Sequence, residues 1–194
     1  AHEGKAEVVN ALLGVDGVDE NTKIQMLKAK DKQGKTPLLL AAQMDHADVV
    51  KALLGADGVD QDTKIKMLSA TLHIAAKEGD LDVMNTLLGA DVVDSDAKIQ
   101  MLKAKDKQRK TPLHIAAHEG KAEVVRELLL NGYNSVEDRI KVLIERSVSR
   151  HSLLHQACES GNVEMVKAML KGVSVNAEEI KELKKPARSF GSGV

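Results

Sequence analysis

Three segments of the chain place apolar and polar residues in nearly the same order. They read KTPLLLAAQMDHADVVKALL (35–54), TLHIAAKEGDLDVMNTLL (71–88) and KTPLHIAAHEGKAEVVRELL (110–129). Each contains two short runs of apolar residues at helical spacing, with a polar turn between them. Because neither run can bury its apolar face alone, the pattern predicts pairs of short helices that are stable when stacked on further copies.

The repeat length follows from the alanine that ends the first apolar run. Equivalent positions are Ala1, Ala42, Ala76, Ala117 and Cys158, at spacings of 41, 34, 41 and 41 residues. These spacings predict four to five stacked units in an all-α solenoid. The chain has one tyrosine, one phenylalanine and no tryptophan, which suits thin layers of aliphatic side chains between closely packed helices.

Local signals mark the helix starts and the turn. Thr36 and Thr111 are expected to cap the first helix, and Pro37 and Pro112 follow where a missing N–H costs nothing. The turn needs a residue that tolerates positive φ, and the equivalent positions hold Gly4, Asp45, Gly79, Gly120 and Gly161. The second helix carries paired apolar residues: Val8, Val9, Leu12 and Leu13, with the equivalents Val124, Val125, Leu128 and Leu129.

A further segment follows the second helix of each unit: DENTKIQMLKA, DQDTKIKMLSA, DSDAKIQMLKA and SVEDRIKVLIER. Each begins with a capping residue, which is Asp19, Asp60, Asp94 or Ser135. Each then places isoleucine and leucine three residues apart: Ile24 and Leu27, Ile65 and Leu68, Ile99 and Leu102, Ile140 and Leu143. This predicts a short third helix, whose apolar residues must be held by neighbouring copies because so short a helix is marginal alone.

The segment TPLHIAAHEGKAEVVRELL resembles an ankyrin repeat, and the resemblance covers residues 1–172. It rests on Thr-Pro-Leu-His, the turn glycine and the Val-Val-x-x-Leu-Leu pair, which recur in register. Ankyrin repeats usually have 33 residues, in two antiparallel helices followed by a hairpin finger, so each unit here has a surplus of about eight residues. The resemblance implies a helical solenoid that binds proteins. We expect the surplus, the third helix, to form a column near the foot of each finger.

The array has irregularities inside and at both ends. Between Ala70 and Thr71 one unit lacks a finger; either the repeat truly has none, or residues are missing from the sequence there, and we favour the second alternative. The chain begins in the middle of a repeat, so we expect either that it is a fragment of a longer array or that further residues of the first repeat precede Ala1. We expect residues 1–172 to form the array and residues 173–194 a closing helix, from Asn176 with Ile180 and Leu183, and a mobile tail.

Composition excludes several classes of protein. The net charge of −1 gives no overall basic field for nucleic acid. A single cysteine excludes an internal disulfide and fits a reducing compartment. Neither a membrane-spanning run nor a signal peptide is visible. We therefore expect no nucleic acid or membrane partner, and a cytoplasmic location in which a bacterial and a host cytosol are not distinguished.

Candidate chemistry is sparse. His114 and His118 are four residues apart, as are His151 and His155, and this spacing can chelate zinc. However, His73, His114 and His155 share one repeat position, where the ankyrin resemblance implies a structural bond to backbone near the hairpin. Cys158 replaces a small alanine, so we expect it to be buried. With no phosphate-binding loop and no third metal ligand, we expect no metal, no cofactor and no enzymatic activity.

Charge is distributed unevenly along the repeat. The first finger, defined here as residues 28–35, carries a net +3, and the second finger, residues 103–110, carries +4. The loops at 14–22, 55–63 and 89–97 each carry −3. Stacking is expected to align these segments into a basic edge and an acidic edge. Either both edges only interact with solvent and neighbouring charges, or the basic edge attracts an acidic protein surface.

Three hypotheses of function remain. The leading one is a monomeric, non-catalytic scaffold that binds a protein through fingers and first helices. The second is an architectural spacer within a larger protein. Long, self-similar arrays of this kind resemble ankyrin proteins of intracellular bacteria, so that larger protein is expected to be a secreted effector. The third and weakest hypothesis is an enzyme that uses Cys158 and histidines. The candidate partner-binding residues are Lys30, Lys32, Lys35, Gln43, Met44, His46, Lys77, Glu78, Lys105, Lys107, Arg109, Lys110, His118, Glu119, Glu159 and Ser160.

Overall fold

The computed structural model describes residues 6–15, 17–89, 93–144, 152–159 and 161–173. Within these ranges the chain forms twelve α-helices and no β-strand. In chain order they are α1 (Ala6–Leu13), α2 (Glu20–Lys28), α3 (Pro37–Gln43), α4 (Ala47–Leu54), α5 (Gln61–Glu78), α6 (Leu81–Gly89), α7 (Ser95–Lys103), α8 (Pro112–His118), α9 (Ala122–Gly132), α10 (Val136–Ile144), α11 (Leu153–Glu159) and α12 (Val163–Gly172). The all-α prediction is confirmed.

The first helices begin where the Thr-Pro signals predicted. The Thr36 hydroxyl accepts the N–H of Leu39 at the start of α3, and the Thr111 hydroxyl accepts that of His114 at the start of α8. Pro37 and Pro112 each occupy the first helical position, where no intrahelical donor is needed.

The third helices α2, α7 and α10 exist as predicted, and the first half of α5 is their equivalent. Asp19, Asp60 and Asp94 each accept a backbone N–H three residues later, at 2.7–2.8 Å. The Ser135 hydroxyl accepts the N–H of Asp138 at 3.0 Å. Hydrogen bonds from Thr22 to Asp19 and from Thr63 to Asp60 hold the pKa of both carboxyls below its ordinary value, because they favour the charged form.

The turns after the first helices use the predicted left-handed backbone. Gly79, Gly120 and Gly161 have φ of 84°, 71° and 65°. Asp45 adopts φ of 53°, a conformation that aspartate tolerates better than most side chains. Gly4 lies outside the described residues.

The core lies between helices of successive repeats. The first helix α8 packs on α5, and the second helices follow in the order α6, α9 and α12. Val124, Val125, Leu128 and Leu129 of α9 are at most 2% exposed. Gly172 allows α12 to approach α9 closely, since a Cβ there would lie 2.6 Å from a methyl carbon of Leu129.

The third helices do not form the simple column that we expected. α2 packs on the first helix that follows it, α3, and α10 packs on α11, whereas α7 packs most extensively on α5 and less on α8 and α9. The leucines Leu27, Leu68, Leu102 and Leu143 are buried. The isoleucines are less uniform: Ile65 is buried, Ile24 and Ile99 are partly buried, and Ile140 is 44% exposed. Burial of Ile140 was therefore predicted wrongly.

The irregular spacing has a structural counterpart in α5. This helix runs for 18 residues, from Gln61 through Ala70 and Thr71 to Glu78, so a third helix continues directly into the next first helix. Residues 61–78 contain no proline or glycine, so none of them breaks the helix. The structure of this sequence therefore has no finger at this point, and our expectation that residues are missing between Ala70 and Thr71 stays a prediction.

The outermost described helices depart from the pattern. Val8 and Leu12 of α1 are 51% and 52% exposed, although their equivalents in α9 are buried. Cys158 of α11 is exposed, which contradicts the prediction that it is buried. Both departures have one cause: within the described residues no second helix precedes α1 and no first helix follows α11. The predicted closing helix and tail lie outside the described residues.

Candidate interaction surface

Each finger is a tight loop built around one aspartate. The Asp31 carboxylate accepts the N–H groups of Gln33 and Lys35, both at 2.8 Å. Asp106 does the same for Gln108 and Lys110, also at 2.8 Å. These acids are used to fold the loops, so they are poorly placed to bind a partner. This role was not predicted from the sequence.

The two fingers differ at the residue that needs positive φ. Gly34 has φ of 80° in the first finger, whereas the equivalent Arg109 has φ of 62° in the second. A non-glycine residue without a short polar side chain pays about 1–2 kcal/mol for this conformation. The second finger thus carries an exposed guanidinium at a position where it is structurally unfavourable.

His73 joins the second finger to the preceding repeat. Its Nε2 donates to the carbonyl of Lys110 at 3.1 Å, and its Nδ1 lies 2.6 Å from the carbonyl of Ser69. At the same repeat position, His114 and His155 place Nδ1 at 2.7 and 2.6 Å from the hydroxyls of Thr111 and Ser152. The structural role predicted for these histidines is confirmed for His73.

The zinc alternative gains no support in the described part of the chain. His118 lies beside Glu119, with Nδ1 at 3.3 Å from Oε1. No group of three or more possible metal ligands occurs among the described residues, which do not include His151. None of the described helices is long and apolar enough to cross a membrane.

Five basic residues of the fingers are exposed and have no partner in the described structure. The side chains of Lys30, Lys32, Lys105, Lys107 and Arg109 make no hydrogen bond or ion pair with another described residue. By contrast, Asp19, Asp60 and Asp94 of the acidic loops accept the helix-capping bonds described above. Helix capping therefore explains much of the acidic charge, whereas no structural contact explains the basic charge.

Lys35 belongs to a bridge between repeats instead. Its Nζ donates to Gln43 at 2.8 Å, and the Gln43 amide donates to Asp80 at 3.2 Å. Asp80 in turn accepts the N–H of Val83 and caps α6. Two of the candidate residues, Lys35 and Gln43, are thus already engaged within the array.

The remaining candidates are unequally accessible. Lys110 is half-buried. His46 is half-buried too, and its Nε2 is fully buried without a hydrogen-bond partner among the described residues. The Glu159 side chain and Ser160 lie outside the described part. The exposed candidates on first helices and turns are Met44, Lys77, Glu78, His118 and Glu119.

Comparison with known protein families agrees with this architecture. A family model for ankyrin repeats (three copies) matches residues 1–99 and again residues 72–179. The chain belongs to the ankyrin repeat family. Ankyrin repeats generally mediate protein–protein interaction and are typically non-enzymatic. A search among curated proteins found no significant match.

One feature of this ankyrin array was missed entirely in the sequence. A cleft of about 850 Å³ opens between the middle of α5 and the segment 99–107, which joins α7 to the second finger. Its walls include Lys105 and Lys107, which were candidates, and Lys103, Ala70 and Ile99, which were not. The feature of the sequence that indicates this cleft is the missing Thr-Pro finger. We interpreted it as a gap in the sequence rather than as an opening in the protein surface.

Proposed function

We infer that the protein is a non-catalytic scaffold that binds an acidic surface of a protein partner through its fingers. The observation that carries this proposal is the set of exposed, unpaired cations at Lys105, Lys107 and Arg109. No carboxylate of the described structure pairs with these three cations, so their charge is accessible to a partner. Electrostatic complementarity of this kind raises association rates and selects partners.

The strain at Arg109 supports the same proposal. A glycine there would relieve the left-handed backbone, as Gly34 does in the first finger. An arginine at such a position is expected where its charge has a use, because strained residues that persist are concentrated at functional sites. Exposed Met44 and the turn residues Glu78 and Glu119 extend the proposed surface beyond the fingers.

Charge reversal tests this proposal. The triple variant Lys105→Glu, Lys107→Glu, Arg109→Glu should reduce capture of partner proteins from a eukaryotic lysate by about tenfold or more, because it converts attraction into repulsion. Captured proteins are identified by mass spectrometry, and each is then retested in purified form.

The matched control reverses three cations away from the fingers, Lys51, Lys141 and Lys167. Circular dichroism verifies that both variants remain folded. If the two triple variants capture the same proteins as the unaltered chain, the finger surface is not the binding site. If the unaltered chain captures no protein at all, the architectural role, in which the array spaces other parts of a larger protein, is the better hypothesis.

A further inference from the structure

The cleft beside α5 lies where the array lacks a finger. In two other units, the residues between the third helix and the next first helix turn outward as a finger, at 28–35 and 103–110. In this unit α5 continues through the same position as an uninterrupted helix, which leaves Ala70 exposed on its surface. The cleft therefore lies beside the point at which a third helix continues into a first helix without a finger.

The walls of the cleft expose mostly apolar surface, and the polar side chains of Ser69 and His73 at its base are engaged within the protein. Ile65, Ile99 and Ala104 line it together with Ala70. The hydroxyl of Ser69 lies 3.3 Å from Nδ1 of His73, and the other nitrogen of that ring is bonded to the second finger. A bound segment is therefore stabilised most by a short apolar side chain that packs against Ala70 and Ala104.

The charge at the rim is positive. Asp62 is paired with Lys66, and the Asp106 carboxylate is occupied by two N–H groups of the finger. Lys103, Lys105 and Lys107 have no such partner in the described structure. The charge left uncompensated at this opening is thus that of three ammonium groups.

We propose that the cleft binds an acidic peptide segment of a partner protein. A small apolar residue of that segment lies against Ala70 and Ala104, and carboxylates on either side of it reach Lys103, Lys105 and Lys107. The volume is within the range of about 300–1,000 Å³ typical of specific ligand sites, which is enough for a few side chains. This inference rests on the proposed scaffold function and names the part of the surface that confers specificity.

Selection from a random dodecamer peptide library on the immobilised full chain tests it. Enriched peptides should combine Asp or Glu with a small apolar residue, and fluorescence polarisation gives their affinity. Ala70→Trp fills the cleft without changing any charge, so it should weaken binding by about tenfold or more. Its control is Ala11→Trp on exposed α1, which should leave binding unchanged.

A second pair of variants tests the rim. Lys103→Glu, Lys105→Glu, Lys107→Glu should weaken peptide binding by about tenfold or more. The register-equivalent change in the first finger, Lys28→Glu, Lys30→Glu, Lys32→Glu, alters the net charge equally and should have a much smaller effect. Circular dichroism spectra and thermal melting establish that all variants fold.

The outcomes separate the cleft from the scaffold function. If acidic peptides bind but Ala70→Trp has no effect, or if both lysine sets weaken binding equally, the cleft is not the site and the finger surface remains. If no acidic peptide is enriched, the cleft proposal is wrong whatever the lysate captures. The chain is also tested for binding of a single-stranded oligonucleotide and for self-association. If Ala70→Trp weakens either of these, the cleft has another occupant and the proposal is overturned.

Discussion

At the scale of single residues, His46 shows how one side chain leaves a helix start incomplete. The equivalent Asp80 and Asn162 cap their helices by accepting the N–H of Val83 and Met165 at 3.1 and 2.9 Å. His46 makes no such bond at the start of α4, and its Nε2 is buried without a partner among the described residues. The array therefore carries both a vacant cap and an unsatisfied nitrogen at one position.

Replacing this histidine should stabilise the protein. His46→Asn places a side-chain acceptor at the position that Asn162 occupies in the last repeat, and we expect the free energy of unfolding to rise by about 1 kcal/mol. Urea denaturation followed by circular dichroism measures the change. Asn162→Ala is the matched control, with an expected loss of about the same size. A lower midpoint for His46→Asn would show that the buried imidazole contributes more by packing than a cap would restore.

Other single residues explain local order that the sequence did not reveal. Arg139 is 7% exposed, and its Nε donates to the carbonyl of Tyr133 at 3.2 Å, across the connection between α9 and α10. Tyr133 is itself buried, as one of only two aromatic residues in the chain. Such bonds could not be predicted, because an arginine in an amphipathic segment ordinarily extends into solvent.

At the scale of helices and fingers, the replacement of a histidine in one repeat matches the lack of a finger in the next repeat. His73 in one repeat bonds the finger of the next repeat, through the carbonyl of Lys110. The equivalent residue one repeat earlier is Leu39, and the repeat that follows it is the one without a finger. An imidazole at position 39 would have no finger carbonyl to bond, and the leucine there is 2% exposed. The agreement supports a genuine absence of the finger.

Exchanging the two residue types should destabilise the array at both positions. His73→Leu removes the bond that holds the second finger, and we expect a loss of about 1–2 kcal/mol. Leu39→His buries an imidazole without a finger to bond, and we expect a loss of about 1–3 kcal/mol. Urea denaturation measures both losses, and hydrogen exchange should show faster exchange in residues 104–110 only for His73→Leu. Unchanged stability of Leu39→His would mean that the agreement between the two sites is accidental.

The helices were predictable where their signals are local. Thr-Pro pairs, capping aspartates and turn glycines act within a few residues of themselves, so the first, second and third helices could all be placed from sequence. The fused helix α5 was not predicted, although the absence of proline and glycine near Ala70 permits it. Burial of Ile140 and Cys158 was predicted wrongly because burial depends on which helix packs next, and a repeat pattern assumes that every copy has the same neighbours.

At the scale of the whole molecule, the same sequence experiences different environments along the array. The second helix α1 reads AEVVNALL, and the first eight residues of α9 read AEVVRELL. In α9 the four paired apolar residues are at most 2% exposed, whereas in α1 only Leu13 is buried. Intrinsic helix propensity is nearly equal in the two segments, so their stabilities should differ through packing alone.

Hydrogen exchange can measure this difference within a single molecule. Since intrinsic exchange rates depend on local sequence, the two near-identical segments serve as controls for each other. We expect the amides of α1 to open with a free energy at least about 2 kcal/mol below that of α9, which is a protection factor about thirtyfold lower. Exchange followed by mass spectrometry on peptides covering residues 6–13 and 122–129 reads this ratio directly. Equal protection would require that α1 be packed as deeply as α9, and would contradict an array whose stability comes from contacts between neighbouring repeats.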